Sequence, residues 1–80
     1  MNTYTATLPN GEAVTRKSAR IYTHAVVVEG FMNTRKGQHE EEPGLLNWCG
    51  SEALAQKAAD KARSGGPSGY WTGVQVIEVN

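Results

Sequence analysis

Ala25-Val26-Val27-Val28 constrains the fold of this chain more than any other feature. β-branched side chains are stiff at χ1 and pack well on a pleated surface, so the run predicts a strand. No polar residue alternates through it, so both faces of that strand need cover and it belongs in the middle of a sheet. The expected limits are Ile21 to Glu29. The rest of the chain has to supply two covers and the flanking strands.

Upstream, Tyr4, Ala6 and Leu8 alternate with Thr3, Thr5 and Thr7, the period-two signature of a half-buried strand. Leu8-Pro9-Asn10-Gly11-Glu12 follows, and two hairpin registers compete for it. A two-residue Asn-Gly turn pairs Leu8 with Ala13 and throws Val14 onto the threonine face. A three-residue loop instead uses Pro9 and Asn10 as the centre of a type I turn and Gly11 as the left-handed residue. Leu8 then opposes Glu12, Ala6 opposes Val14 and Thr5 opposes Thr15, which keeps one face apolar. That register is the expected one, with a second strand over about Glu12 to Lys17.

Downstream, Ser51 is a good helix N-cap, Glu52 suits the positive first turn, and Lys61 and Arg63 suit the negative last turn. Gly65 supplies the stop and Pro67 forbids continuation. Leu54, Ala55, Ala58, Ala59 and Ala62 form one stripe at helical spacing, small enough for close approach to a sheet. A last strand is expected from Tyr70 to Val79. Residues 30 to 47, punctuated by Gly30, Gly37, Pro43 and Gly44, read as a long mobile loop, with a short strand around Leu46 to Cys49 rejoining the sheet. The order is β-β-β-loop-α-β. This predicts a single α+β domain over residues 1–80: a small, mostly antiparallel sheet of three to five strands with one helix packed on a face.

Leu, Ile, Val and Phe together make up only 14 of the 80 residues, so the core is thin. A core this small is commonly reinforced by association of copies of the chain or by a partner. Net charge is zero, which removes the self-repulsion that drives disorder and the basic excess of a dedicated nucleic-acid binder. Cys49 is the only cysteine, which excludes an internal disulfide and a cysteine-rich zinc site. Its thiol is either buried and inert or free to bridge two copies. No apolar stretch approaches the ~20 residues that span a bilayer. Met1 to Thr5 lack the regions of a signal peptide, so the cytoplasm is the expected location.

Candidate contact residues fall in three charged segments. Arg16, Lys17 and Arg20 form the densest basic stretch, followed by Tyr22 and His24. Such a set can hold phosphates or stack a base, or it can be the solvated charge of an edge strand. Arg35 and Lys36 are basic, and Glu40, Glu41 and Glu42 form an acidic docking patch or a solvated loop. His39 beside these glutamates lacks the His-x-x-x-His spacing of a zinc protease, and no metal or other cofactor is expected. Cys49 with His24 or His39 is the one conceivable nucleophile pair, yet no flanking motif marks an activated thiol. Tyr70-Trp71 is a candidate contact pair, or else Trp71 fills the core. No enzymatic activity is expected from these residues.

The stretches Tyr4 to Gly11, Thr15 to Arg20 and Tyr22 to Val27, with the Ser51 to Ala59 helix, resemble small proteins encoded by bacteriophages and prophages. The resemblance covers about half of the chain and carries no active-site motif. It implies an intracellular binding role, since some short phage proteins of this build are anti-defence factors, anti-CRISPR proteins among them. The implied partner is a host protein complex, a CRISPR effector or nuclease, blocked by stoichiometric binding. The alternative is a small nucleic-acid or signalling-nucleotide binding module that uses the basic strand.

Overall fold

The computed structural model describes residues 1–33, 35, 37–40, 42–66 and 69–79, with the backbone alone for 38–40. In chain order the elements are β1 (Asn2–Thr7), β2 (Ala13–Ser18), β3 (His24–Val28), β4 (Gly30–Asn33), β5 (Gln38–Glu40), β6 (Gly44–Cys49), α1 (Glu52–Ser64), β7 (Tyr70–Thr72) and β8 (Gln75–Glu78). The class is α+β, and every strand pair among the described residues is antiparallel.

The β1–β2 hairpin has the three-residue loop. Thr5 opposes Thr15 and Ala6 opposes Val14. The Leu8 amide donates to the Glu12 carbonyl at 2.7 Å and the Gly11 amide to the Leu8 carbonyl at 2.9 Å. Gly11 has φ 91°, the conformation that a bulge after a type I turn requires. The Asn10 side chain accepts from the Glu12 amide at 3.0 Å and braces the loop.

The valine run is central, as its composition demands: β3 lies between β6 and β8, and Val26, Val27 and Val28 are fully buried. It begins at His24 rather than Ile21, which is 72% exposed. Beyond it the chain passes through Glu29 directly into β4, which lies between β5 and β7. The two three-stranded sheets are therefore one sheet with a crease across it. The β3–β8 and β4–β7 ladders share one register, with two residues on each strand lying between Val27↔Gln75 and Gly30↔Thr72. The Glu29 amide bridges the gap to the Thr72 carbonyl at 2.9 Å. On the other side Leu46 is an extra residue in β6, between Val26↔Asn47 and Val27↔Leu45.

The crease resets the pleat. Val26 packs with Ala55 and Ala59 of the helix, while Phe31, five residues on, lines a groove with Ala58 and Ala62. Strict alternation would put residues five apart on opposite faces. Val76 and Trp71 show the same reset. Gly73 makes it sterically feasible, because it has φ 61° and a Cβ there would meet Glu29 Cγ at 2.5 Å.

The helix covers one face, with Ala55 and Ala59 buried against Val26 and Cys49. Ser51 Oγ accepts from the Leu54 amide at 3.2 Å, and Gly65, at φ 70°, donates to the Ala62 carbonyl. Leu54 is 56% exposed and stands outside the buried stripe. The opposite face bears Ala25 and Val27, and the hairpin reaches it through a chain of aromatic rings. Tyr4 meets Tyr22 edge-on at 5.2 Å between centroids, and Tyr22 meets Trp48, the cross-strand partner of Ala25, at 5.9 Å. The Tyr4 hydroxyl donates to the Arg20 carbonyl at 2.8 Å.

Two expectations need correction. Residues 30 to 47 are not a long loop: β4, β5 and most of β6 lie within them. The last strand is broken at Gly73-Val74 into β7 and β8. Among the described residues the strands form eight segments, which joined across the crease follow five chain paths, within the expected three to five. The radius of gyration is 13.1 Å, against about 11.6 Å for a compact domain of this length. The longest dimension is 42 Å, so the molecule is elongated.

Candidate binding surfaces

The basic segment forms a surface at the His24 end of the sheet. Arg16 is the cross-strand partner of Tyr4, and its guanidinium carbon lies 5.5 Å from the centroid of the Tyr22 ring. That stacking is favourable and fixes the side chain. Lys17, one residue on, faces the other way with Thr15 and Thr3. Arg20 is exposed; its amide donates to Ser18 Oγ at 3.1 Å while its carbonyl accepts from Tyr4. These bonds pin the corner that presents Ile21 to solvent.

The other charged residues lie elsewhere. Arg35 is exposed in the connection between β4 and β5, its amide held by Asn33 Oδ1 at 3.1 Å. Glu40 is the backbone partner of Phe31 in β5, and Glu42 is exposed between β5 and β6. Lys36 and Glu41 lie outside the described residues. The path 24–33 separates Tyr22 from Arg35, roughly 30 Å at the rise of a straight strand. The fold therefore does not bring Arg16, Lys17 and Arg20 together with Arg35.

His24 and Cys49 do come together, as direct cross-strand partners. The geometry does not activate the thiol. Cys49 is buried, and burial pushes its pKa above the usual value, the opposite of what a nucleophilic thiolate needs. His24 Nδ1 is engaged with Thr23 Oγ1 at 2.8 Å. Among the described residues no three His, Cys, Asp or Glu side chains are grouped to hold a metal ion. No helix among them is long and apolar enough to cross a membrane.

A third feature was not anticipated from the sequence. Between the C-terminal half of α1 and the β4–β7 half of the sheet lies a groove of about 640 Å³. Phe31 and Trp71 are cross-strand partners in it, with centroids 5.0 Å apart. Leu46 from the β6 bulge, Asn47 and Lys61 also line it. It is open because Ala58, Ala62, Gly65, Gly66 and Gly69 leave it unfilled. Gly69 could carry no side chain: a Cβ there would run into the Met32 carbonyl and lie 2.7 Å from Phe31 Cζ. The small residues were legible in sequence, but the pairing of Phe31 with Trp71 spans 40 positions and leaves no local signal.

Comparison with protein-family models, with curated proteins and with solved structures finds no match for this chain.

Proposed function

We propose that this protein is a non-catalytic accessory protein of a bacteriophage or mobile element that inhibits a host defence complex by direct binding. The anti-CRISPR kind is the form that the sequence resemblance implies. The observation that carries the binding half is Ile21, 72% exposed and set between Arg20 and the Arg16–Tyr22 stack. Removing an aliphatic side chain from water is favourable, and a pinned corner loses little freedom when a partner covers it. Tyr and Arg are enriched among residues that dominate interface energy. The surface this corner fits is an apolar pocket edged by carboxylates, with steering from Arg16, Lys17 and Arg20.

A nucleic-acid role for the same segment has less support. Arg16 and Lys17 point to opposite faces of the hairpin, so they do not form one track for a phosphate backbone. The Tyr22 ring is already in contact with Tyr4, Trp48 and Arg16, which leaves little of it for a base.

The test is a titration of purified CRISPR effector complexes with this protein, reading target binding and cleavage. Inhibition should saturate near one-to-one stoichiometry and be lost in Ile21→Asp with an unchanged melting temperature. Undiminished effector activity at large molar excess would sink the anti-CRISPR reading. If the protein instead retards free DNA, with affinity falling about one log unit per log of salt for each phosphate contacted, the basic segment serves nucleic acid.

A further inference from the structure

We infer that the groove between α1 and the β4–β7 half of the sheet is a binding site for a small planar aromatic anion. This goes beyond the contact surface at Ile21 and does not depend on it. The volume, about 640 Å³, falls in the range of small-molecule sites, about 300–1,000 Å³. The aromatic character follows from Phe31 and Trp71. Their rings are tilted by 58° to each other rather than stacked flat, and Trp71 remains 38% exposed, so its surface is not used up within the fold. A flat ring laid against Trp71 gains dispersion and apolar burial in a slot that alanine and glycine keep open.

The charge follows from Lys61, the one ionic residue lining the groove among the described residues. Its ammonium has no ion-pair or hydrogen-bond partner there, whereas the neighbouring Arg63 is held by Asp60 at 3.3 Å and by the Val74 carbonyl at 3.2 Å. Asn47 and Trp71 also line the groove, and neither the Asn47 carboxamide nor the Trp71 indole N–H has a hydrogen-bond partner among the described residues. Three unengaged donor groups around an aromatic floor fit a ring that carries an acceptor-rich anion. The C-terminal end of α1 contributes about half a negative charge, against the full charge of Lys61. Two of its last carbonyls, of Lys61 and Ala62, already accept from Ser64 Oγ and the Gly65 amide. The balance favours an anion.

A nucleoside monophosphate and a two-ring aromatic carboxylate share this chemistry. The probes are therefore adenosine monophosphate and 2-naphthoate, with adenosine and 2-naphthalenemethanol as neutral counterparts. Binding is read by quenching of Trp71 in a Trp48→Phe background and by backbone amide shifts. At least one anion should saturate in the micromolar to low millimolar range, with shifts at Phe31, Asn47, Lys61, Gly66 and Trp71. Lys61→Gln should weaken it about fivefold or more, toward the affinity of the neutral counterpart, which itself should not respond to that change. Ala62→Leu, which fills the slot from the helix, should abolish binding while leaving the helix intact. Preference for the monophosphate identifies a nucleotide-type ligand, and preference for the naphthoate an aromatic acid. The inference is overturned if neither anion saturates, if the neutral compounds bind equally well, or if the shifts cluster at Arg16 and Ile21 instead. Ile21→Asp should leave this binding unchanged, so loss of one surface is distinguishable from loss of the other.

Discussion

Gly69→Ala probes the closure of the lower half of the sheet. Gly69 is buried, has φ 153°, and is held by reciprocal bonds to Gly66, at 2.7 Å and 3.2 Å. A methyl group there meets the Met32 carbonyl oxygen, Phe31 Cζ at 2.7 Å and Asn33 Cα at 3.1 Å. Backbone atoms cannot rotate aside, so β4 and β7 must part. An L-residue in this region of φ costs about 1–3 kcal/mol. Overpacking a closed site costs a similar amount. The two overlap, which gives about 3 kcal/mol in total. A domain of this length is worth on the order of 5–10 kcal/mol, and each kcal/mol moves the melting temperature by about 4–8 °C. Thermal unfolding followed by circular dichroism should therefore fall by about 15 °C. Gly66→Ala is the internal control: nothing lies within 4 Å of its Cβ position and its φ is ordinary. It should stay within about 1 kcal/mol of the parent, with a gain from the less flexible unfolded chain. Equal melting temperatures for the two variants would refute the packing described for this turn.

Three further outcomes follow from the same geometry. Ser51→Ala removes the oxygen that accepts from the Leu54 amide and should cost about 1 kcal/mol in denaturant unfolding, while Ser51→Asp should cost much less. Tyr4→Phe leaves the Arg20 carbonyl without its donor and should cost about 1 kcal/mol; because that bond pins the Ile21 corner, it should also weaken any partner that binds there. Cys49 has a pKa raised by burial above 9.0, so the folded state holds its proton more tightly than the unfolded chain does. The stability this gives is fully present below pH 9 and declines as pH rises through the folded-state pKa. Cys49→Ala should remove that alkaline decline, and a thiol reagent at neutral pH should label the native protein only as fast as it opens.

How much of this was legible in the sequence depended on the range of the interaction that decides each element. The hairpin register followed from Pro9, Asn10 and Gly11 because turn chemistry and face coherence act within a few residues. The helix followed from Ser51 and Gly65 for the same reason. Leu54 was misplaced because a five-residue stripe is wider than the strip of helix that two close-packed alanines, Ala55 and Ala59, can bury. Residues 30 to 47 read as a loop because Gly30, Gly37, Pro43 and Gly44 punctuate them, and Gly-Phe-Met-Asn has no β-branched residue to offset that signal. What makes it a strand is the continuation of β3 through Glu29 and pairing with Tyr70–Thr72. The break at Gly73 and the bulge at Leu46 are answers to each other across the sheet, and a pattern read along one strand cannot contain them. The basic segments stand out by composition, whereas the exposure of Ile21 does not, because an aliphatic side chain just before the valine run reads as part of its strand. The groove was missed because its aromatic pair and its lysine come from three separate elements.

The groove requires that the chain from His24 to Asn33 be one strand crossing a crease, with 38–40 and 44–49 on one side and 70–72 and 75–78 on the other. The most direct measurement is a set of cross-strand nuclear Overhauser effects and amide exchange rates on the native protein. Contacts of Phe31 with Trp71 and of Met32 with Tyr70, in the same register as Val26 with Val76, are predicted, together with slow exchange at Glu29. Fast exchange throughout 30–47, with no contact between Phe31 and Trp71, would contradict the creased sheet and the groove built on it.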